Sequence, residues 1–142
     1  MERAKMNAAE IDGFLREVFP QAFSDGDITI EAADGDTCRL RQRFGDRMLR
    51  PGGTVSGPTL MALADFAMYV VILSAIGPVA LAVTTNLNIN FLRKGAPGQD
   101  ITAAARLLKL GKRLAVGEVK LFSGTSADPI AHVTSTYSIP NP

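Results

Sequence analysis

Between Pro58 and Ile76 the chain reads PTLMALADFAMYVVILSAI, nineteen residues with a single charge, Asp65, at its middle. Pro58 suits a first helical position, Gly57 before it suits the cap, and Gly77-Pro78 gives a clean stop. At about 1.5 Å per residue such a helix spans roughly 28 Å. It is apolar nearly all round, so it has to be enclosed rather than laid on a surface. Its most apolar part, Leu60 to Ile76, is short for a membrane span and is interrupted by Asp65. Whatever else the chain forms must therefore wrap this helix.

The flanking segments supply the wrapping. Residues 7–18 repeat Ile11, Phe14, Leu15 and Val18 at helical spacing behind a capping Asn7, and Pro20 ends that helix. Residues 27–32 and 37–44 read as strands around the turn Ala33-Asp34-Gly35-Asp36, and 45–57 as a loop broken by Pro51, Gly52 and Gly53. Four strand-like runs follow at about 80–93, 100–110, 113–123 and 129–139. Short turns join them, which favours antiparallel neighbours and a meander. One domain over 1–142 is expected. It belongs to the α+β class, with a curled antiparallel sheet wrapped around a long central helix at about 58–76.

Composition narrows the chemistry. Cys38 and His132 are the only residues of their kinds. That excludes an intrachain disulfide, every His/Cys-rich metal site, and every triad needing more than His132. The net charge of +1 implies no general attraction to nucleic acid or anionic membrane. The charged N-terminal run MERAKMNAAEIDGFLREVF does not read as a secretory signal, so a cytoplasmic protein is expected.

Few residues remain to carry a reaction. A carboxylate at Asp65 amid apolar neighbours costs several kcal/mol if buried and unpaired. It either reaches solvent or a loop, or lines a cleft as a nucleophile or base. Gly57 opens the same helix, where unpaired N–H groups carry partial positive charge: an ordinary cap, or an oxyanion hole. Along 80–93, Thr84, Asn86, Asn88 and Asn90 alternate with Val83, Thr85, Leu87 and Ile89, giving either a solvated sheet face or one side of a cleft. Arg93, Lys94, Lys109, Lys112 and Arg113 gather around two consecutive turns. They form a solvated rim or a cradle for the phosphates of a nucleotide-bearing ligand. His132 reads as a core or interface residue.

The run Gly53-Thr54-Val55-Ser56-Gly57-Pro58-Thr59-Leu60-Met61-Ala62-Leu63-Ala64-Asp65 resembles the G-T-x-H-G-G-x-x-x-x-L-x-D motif of hotdog-fold thioesterases of the phenylacetate-degradation (PaaI) type. Leu87-Asn88-Ile89-Asn90-Phe91-Leu92-Arg93 resembles that family's L-x-I-N-F-L-R strand. Gly111-Lys112-Arg113-Leu114-Ala115-Val116-Gly117-Glu118-Val119 resembles its G-R-R-x-x-x-x-E-V pattern. The resemblance covers about residues 37–139. It implies a hotdog fold and metal-independent acyl-CoA hydrolysis with no cofactor, coenzyme A being part of the substrate. Asp65 takes the place of the family's catalytic carboxylate, and Gly57 that of the glycine whose N–H polarises the thioester. Thr84 takes the place of a Ser or Thr near the attacking water. Arg93, Lys112 and Arg113 fall where relatives hold CoA phosphates. Three positions around the substrate depart from the pattern: Ser56 replaces the motif histidine, Pro58 the second glycine, and Arg50 a water-binding Asn.

The expected function is hydrolysis of an acyl-CoA or related thioester. The alternatives are a non-catalytic acyl-CoA-binding module, motivated by the missing histidine, and a dehydratase, disfavoured because no histidine accompanies the central helix. Gly57 and Asp65 lie eight residues apart, about 12 Å along one helix. One carbonyl cannot meet both within a single chain, so either the two residues do not act together or two chains share each site; a homodimer with shared sites is expected. Pairing of dimers into tetramers follows from the resemblance.

Overall fold

The computed structural model describes residues 5–23 and 28–141. Helix α1 (Ala8–Val18) opens with a capping box: Asn7 Oδ1 accepts the Glu10 N–H at 2.9 Å, and Glu10 returns the bond to the Asn7 N–H at 3.0 Å. It buries Ile11 and Leu15, and a single 3-10 turn (Pro20–Phe23) follows. Strands β1 (Ile28–Ala33) and β2 (Thr37–Gln42) form the expected hairpin; residue 27, where the first strand was expected to start, lies outside the described residues. The turn is built on Asp34, whose Oδ1 accepts the N–H groups of Asp36 (2.9 Å) and Thr37 (2.6 Å). Those bonds, the Thr37 N–H foremost, hold the Asp34 carboxyl below its ordinary value. Gly35 supplies the positive φ, 92°, that the turn requires.

Helix α2 (Gly57–Ile76) is the long helix, one residue longer than expected. Its cap is Ser56 rather than Gly57: Ser56 Oγ accepts the Thr59 N–H at 3.3 Å, a bond glycine cannot provide. By length and composition α2 could cross a bilayer, yet 67% of its most apolar window is buried inside the protein. Strands β3 (Val83–Phe91), β4 (Ile101–Leu110), β5 (Leu114–Ser123) and β6 (Ala131–Ser138) complete one antiparallel sheet of order β1-β2-β4-β5-β6-β3.

Small residues let the sheet close on the helix. Ala103, Ala105, Ala115, Gly117 and Ala131 face inward and are buried. A Cβ on Gly117 would sit 2.6 Å from Met68 Sδ and 2.8 Å from the Arg106 carbonyl. The large volume comes from the helix and the small volume from the strands. Cys38 is buried there, its Sγ donating to the Ala67 carbonyl at 3.3 Å.

The strand order corrects one expectation. The short turn Lys94–Gly98 suggested that β3 and β4 are neighbours, but β3 pairs with β6, at the opposite edge. The whole connection, 92–100, has nine residues and reaches about 30 Å. Crossing three strand spacings needs only about 14 Å. Its course is tied to the sheet end, where the N–H groups of Leu92 and Arg93 both donate to the Ile130 carbonyl.

Candidate active site

The sheet does not cover α2 completely. At its N-terminal half one stripe, Pro58, Met61, Ala62 and Asp65, stays wholly or partly exposed. Asp65, expected among enclosed neighbours, is therefore half-exposed, and the desolvation cost of a fully buried carboxylate does not arise.

Two hydroxyls hold Asp65. Thr84 Oγ1 donates to Oδ1 at 2.5 Å, and Tyr137 Oη donates to the same Oδ1 at 2.9 Å while lying 2.9 Å from the Asp65 carbonyl oxygen. Oδ2 has no hydrogen-bond partner among the described residues. Burial, together with the neighbouring Asp65 charge, pushes the Tyr137 hydroxyl well above the ordinary phenol range, so it stays a donor.

A local irregularity brings Thr84 here. The ladder between β3 and β6 runs Thr84↔Tyr137 and then Asn86↔Thr136, with a bulge between. The extra residue flips the alternation. Thr84 shares the inner face with Tyr137, whereas Asn86, Asn88 and Asn90 share the outer face with Thr136, Thr134 and His132. The polar row expected on one side of β3 is thus divided. Thr84 joins the site, and the asparagines form a solvated face in which Asn88 donates to Asn86 at 2.9 Å.

Gly57 lies apart from Asp65, about 12 Å away along the helix. Its N–H has no partner among the described residues. A Cβ there would sit 3.0 Å from the ring of Phe91, at the far end of β3. Ser56 caps the helix and bonds Thr59 Oγ1 at 2.8 Å. Pro58 is exposed at the rim, and Arg50 is exposed in the turn before α2, where its N–H donates to the Thr54 carbonyl.

The cations do not gather in one chain. Phe91 pairs with Ala131, whereas Val83 and Leu114 both pair with Ser138. Arg93 and Lys94 thus follow one end of β3, and Lys112 and Arg113 lie at the other, roughly 26 Å away at 3.3 Å per residue. Proximity along the chain misled because β3 crosses to the opposite edge. His132 binds Glu118 Oε2 at 2.9 Å on the outer sheet face, beside Arg106. These two partners, His132 foremost, hold the Glu118 carboxyl below its usual range.

A cleft of about 700 Å³ opens beside Asp65. Phe19, Met48, Leu63, Phe66, Tyr69 and Tyr137 give it an apolar, largely aromatic wall, and Gln42 and Arg47 also reach it. Sequence reasoning missed two parts of this site. Tyr137 has the inward register of β6 but looks like any core aromatic. Phe19 follows α1 and carries no motif.

A curled antiparallel sheet around one long helix, with a carboxylate on the uncovered stripe of that helix, defines a hotdog enzyme-like domain. Residues 52–130 match the thioesterase superfamily, and the chain belongs to that family. A candidate thioesterase of Silicibacter sp. TM1040 is 45% identical, with a TM-score of 0.88 over 97% of this chain and 94% of that one. The Escherichia coli PaaI protein of the phenylacetic acid degradation operon is 22% identical and shares the fold, TM-score 0.72, over 92% and 90%. A hypothetical thioesterase protein of Streptococcus pneumoniae TIGR4, solved with coenzyme A, shares it at 19% identity, TM-score 0.78, over 92% and 97%.

Proposed function

We propose that the protein hydrolyses acyl-CoA thioesters at two identical sites, each shared between two copies of the chain. One observation carries this reading: β3 bears half a site at each end. Thr84 at its start holds Asp65, and Phe91 at its end packs against Gly57. β3 is an edge strand, and edge strands present unpaired N–H and C=O groups. Antiparallel pairing of two β3 strands about Leu87 and Asn88 sets Thr84 opposite the other copy's Phe91. Asp65 then faces the other copy's Gly57. The apolar side chains exposed on this edge, Val83 at 56% and Phe91 at 54%, support such a contact.

The same pairing lays Arg93 of one copy near Lys112 and Arg113 of the other. With Lys94 beside Arg93, four cations then surround each site mouth, suited to the phosphates of coenzyme A. The thioester carbonyl accepts the Gly57 N–H of one copy, in line with the helix dipole. Asp65 Oδ2 of the other copy either attacks the carbonyl, expelling the thiolate and leaving a mixed anhydride that water then hydrolyses, or takes a proton from the water that attacks the carbonyl; by either route the C–S bond breaks, the thiolate leaves with a proton supplied by that water, and the acid follows. The acyl group occupies the apolar cleft.

Thiol release over a panel of aliphatic and aromatic acyl-CoAs tests the reaction. Binding of these esters without thiol release would make the protein a binding module and overturn hydrolysis. Mixing Asp65→Ala chains with Gly57→Pro chains tests the sharing. Hybrids that form and regain activity support it; hybrids that form and stay inactive sink it.

A further inference from the structure

We infer that Tyr137 is a positioning residue that decides which oxygen of Asp65 reacts. This rests on the hydrolytic reading above and adds a residue that neither the family's motif nor the sequence marks. Two hydroxyls, Tyr137 Oη at 2.9 Å and Thr84 Oγ1 at 2.5 Å, converge on Oδ1. A carboxylate oxygen saturated by two donors is a poor nucleophile and a poor base, because its lone pairs and charge are already engaged. Oδ2 carries no such bond among the described residues, and Asp65 lines the cleft. The arrangement turns a symmetric carboxylate into one with a held oxygen and a working oxygen.

The clamp is itself braced. The Tyr137 ring stacks on Tyr69 with centroids 6.2 Å apart and planes 14° apart. Tyr69 comes from the helix turn after Asp65, and its hydroxyl donates to the Ala80 carbonyl at 2.8 Å. Helix α2, strand β6 and the segment before β3 are thereby tied to one orientation of the carboxylate. Tyr137 is buried, 4% exposed, so its hydroxyl meets Asp65 rather than water. It remains protonated at working pH because burial disfavours the phenolate. The second bond of Tyr137, to the Asp65 carbonyl oxygen, fixes the hydroxyl relative to the helix backbone as well as to the side chain. Pre-organisation of this kind lowers the chance that Asp65 rotates its free oxygen away from the thioester.

The test is Tyr137→Phe, which removes one oxygen and keeps the ring, the stack and the cleft wall. kcat is expected to fall about tenfold or more with KM changed less than about twofold, since ground-state contacts survive. Thr84→Val, which deletes the other donor to Oδ1, lowers kcat in the same way, and Thr84→Ser restores it. Wild-type kcat in Tyr137→Phe overturns the inference.

A second readout works without turnover. In the ligand-free protein at neutral pH, the Asp65 carboxyl ¹³C resonance moves in Tyr137→Phe and in Thr84→Val, because each variant removes a hydrogen bond to Oδ1. An unmoved resonance in both overturns the role of Tyr137, whether or not any acyl-CoA is hydrolysed. Failure of the parent protein to release thiol, with the resonance shift present, overturns the reaction and leaves the clamp standing. Should Tyr137→Phe not fold by circular dichroism, Thr84→Val decides through the same two readouts.

Discussion

At the scale of single residues, Asp65 is separable from the fold it sits in. It is half-exposed, and Asn in its place can still accept both hydroxyl bonds through its amide oxygen. Asp65→Asn is therefore expected to lower kcat by a factor on the order of a thousand or more while the melting temperature moves only a few degrees. Thiol release and a thermal melt check the two halves, and wild-type turnover in Asp65→Asn would make the residue structural. Cys38 offers a second outcome. Burial pushes its thiol up to about 12, so in the folded protein it stays a buried, unreactive thiol at neutral pH. A thiol-reactive dye should label it only under denaturant, and rapid labelling of the native protein would contradict the packing. Asp65 stood out in the sequence because one charge among eighteen uncharged residues needs a reason. Tyr137 did not, because a tyrosine at an inward strand position reads as core, and only the three-dimensional neighbourhood gives its hydroxyl a partner.

At the scale of elements, the hairpin β1–β2 has a pH signature. The depressed Asp34 carboxyl contributes stability that is present above its ordinary value of 3.8 and lost as pH falls through the lower folded value. Asp34→Asn keeps an acceptor for the turn but cannot titrate, so melting temperatures followed from pH 5 downward should fall less steeply in the variant; parallel curves would remove this contribution. The 3-10 turn after α1 belongs to the same scale. Phe19, 40% exposed, walls the cleft from a segment that lies outside the stretch matching the family. Phe19→Ala is expected to raise KM several-fold for short acyl-CoAs, which lose wall contact, and to favour bulkier ones; unchanged KM across a chain-length series would show that this wall touches no substrate. Hydrophobic period and turn residues made both α-helices and the six strands legible within a few positions, and left the short 3-10 turns unmarked. They were silent on which elements touch. Strand order is decided by how a nine-residue connection crosses the sheet end, and the face of Thr84 by a single extra residue at the bulge. Both are properties of pairing, which a one-chain pattern does not contain.

At the scale of the whole molecule, the open edge at β3 has a consequence for how activity responds to concentration. A site divided between two chains exists only when two chains have met. Turnover per chain should then be constant at high protein concentration and fall on dilution through the dissociation constant of the pair, approaching proportionality to concentration, so that total rate becomes second order in protein. Serial dilution in the thiol-release assay, alongside sedimentation at the same concentrations, checks this, and first-order behaviour in a chain shown to be monomeric would refute it. Substrate that spans both chains should pull the curve toward lower concentration, because binding the pair and not the single chain draws association forward. If two copies share their sites as proposed, abundance itself becomes an input: a cell holding few copies would have less than proportional activity, and one rich in the thioester would assemble its own catalyst.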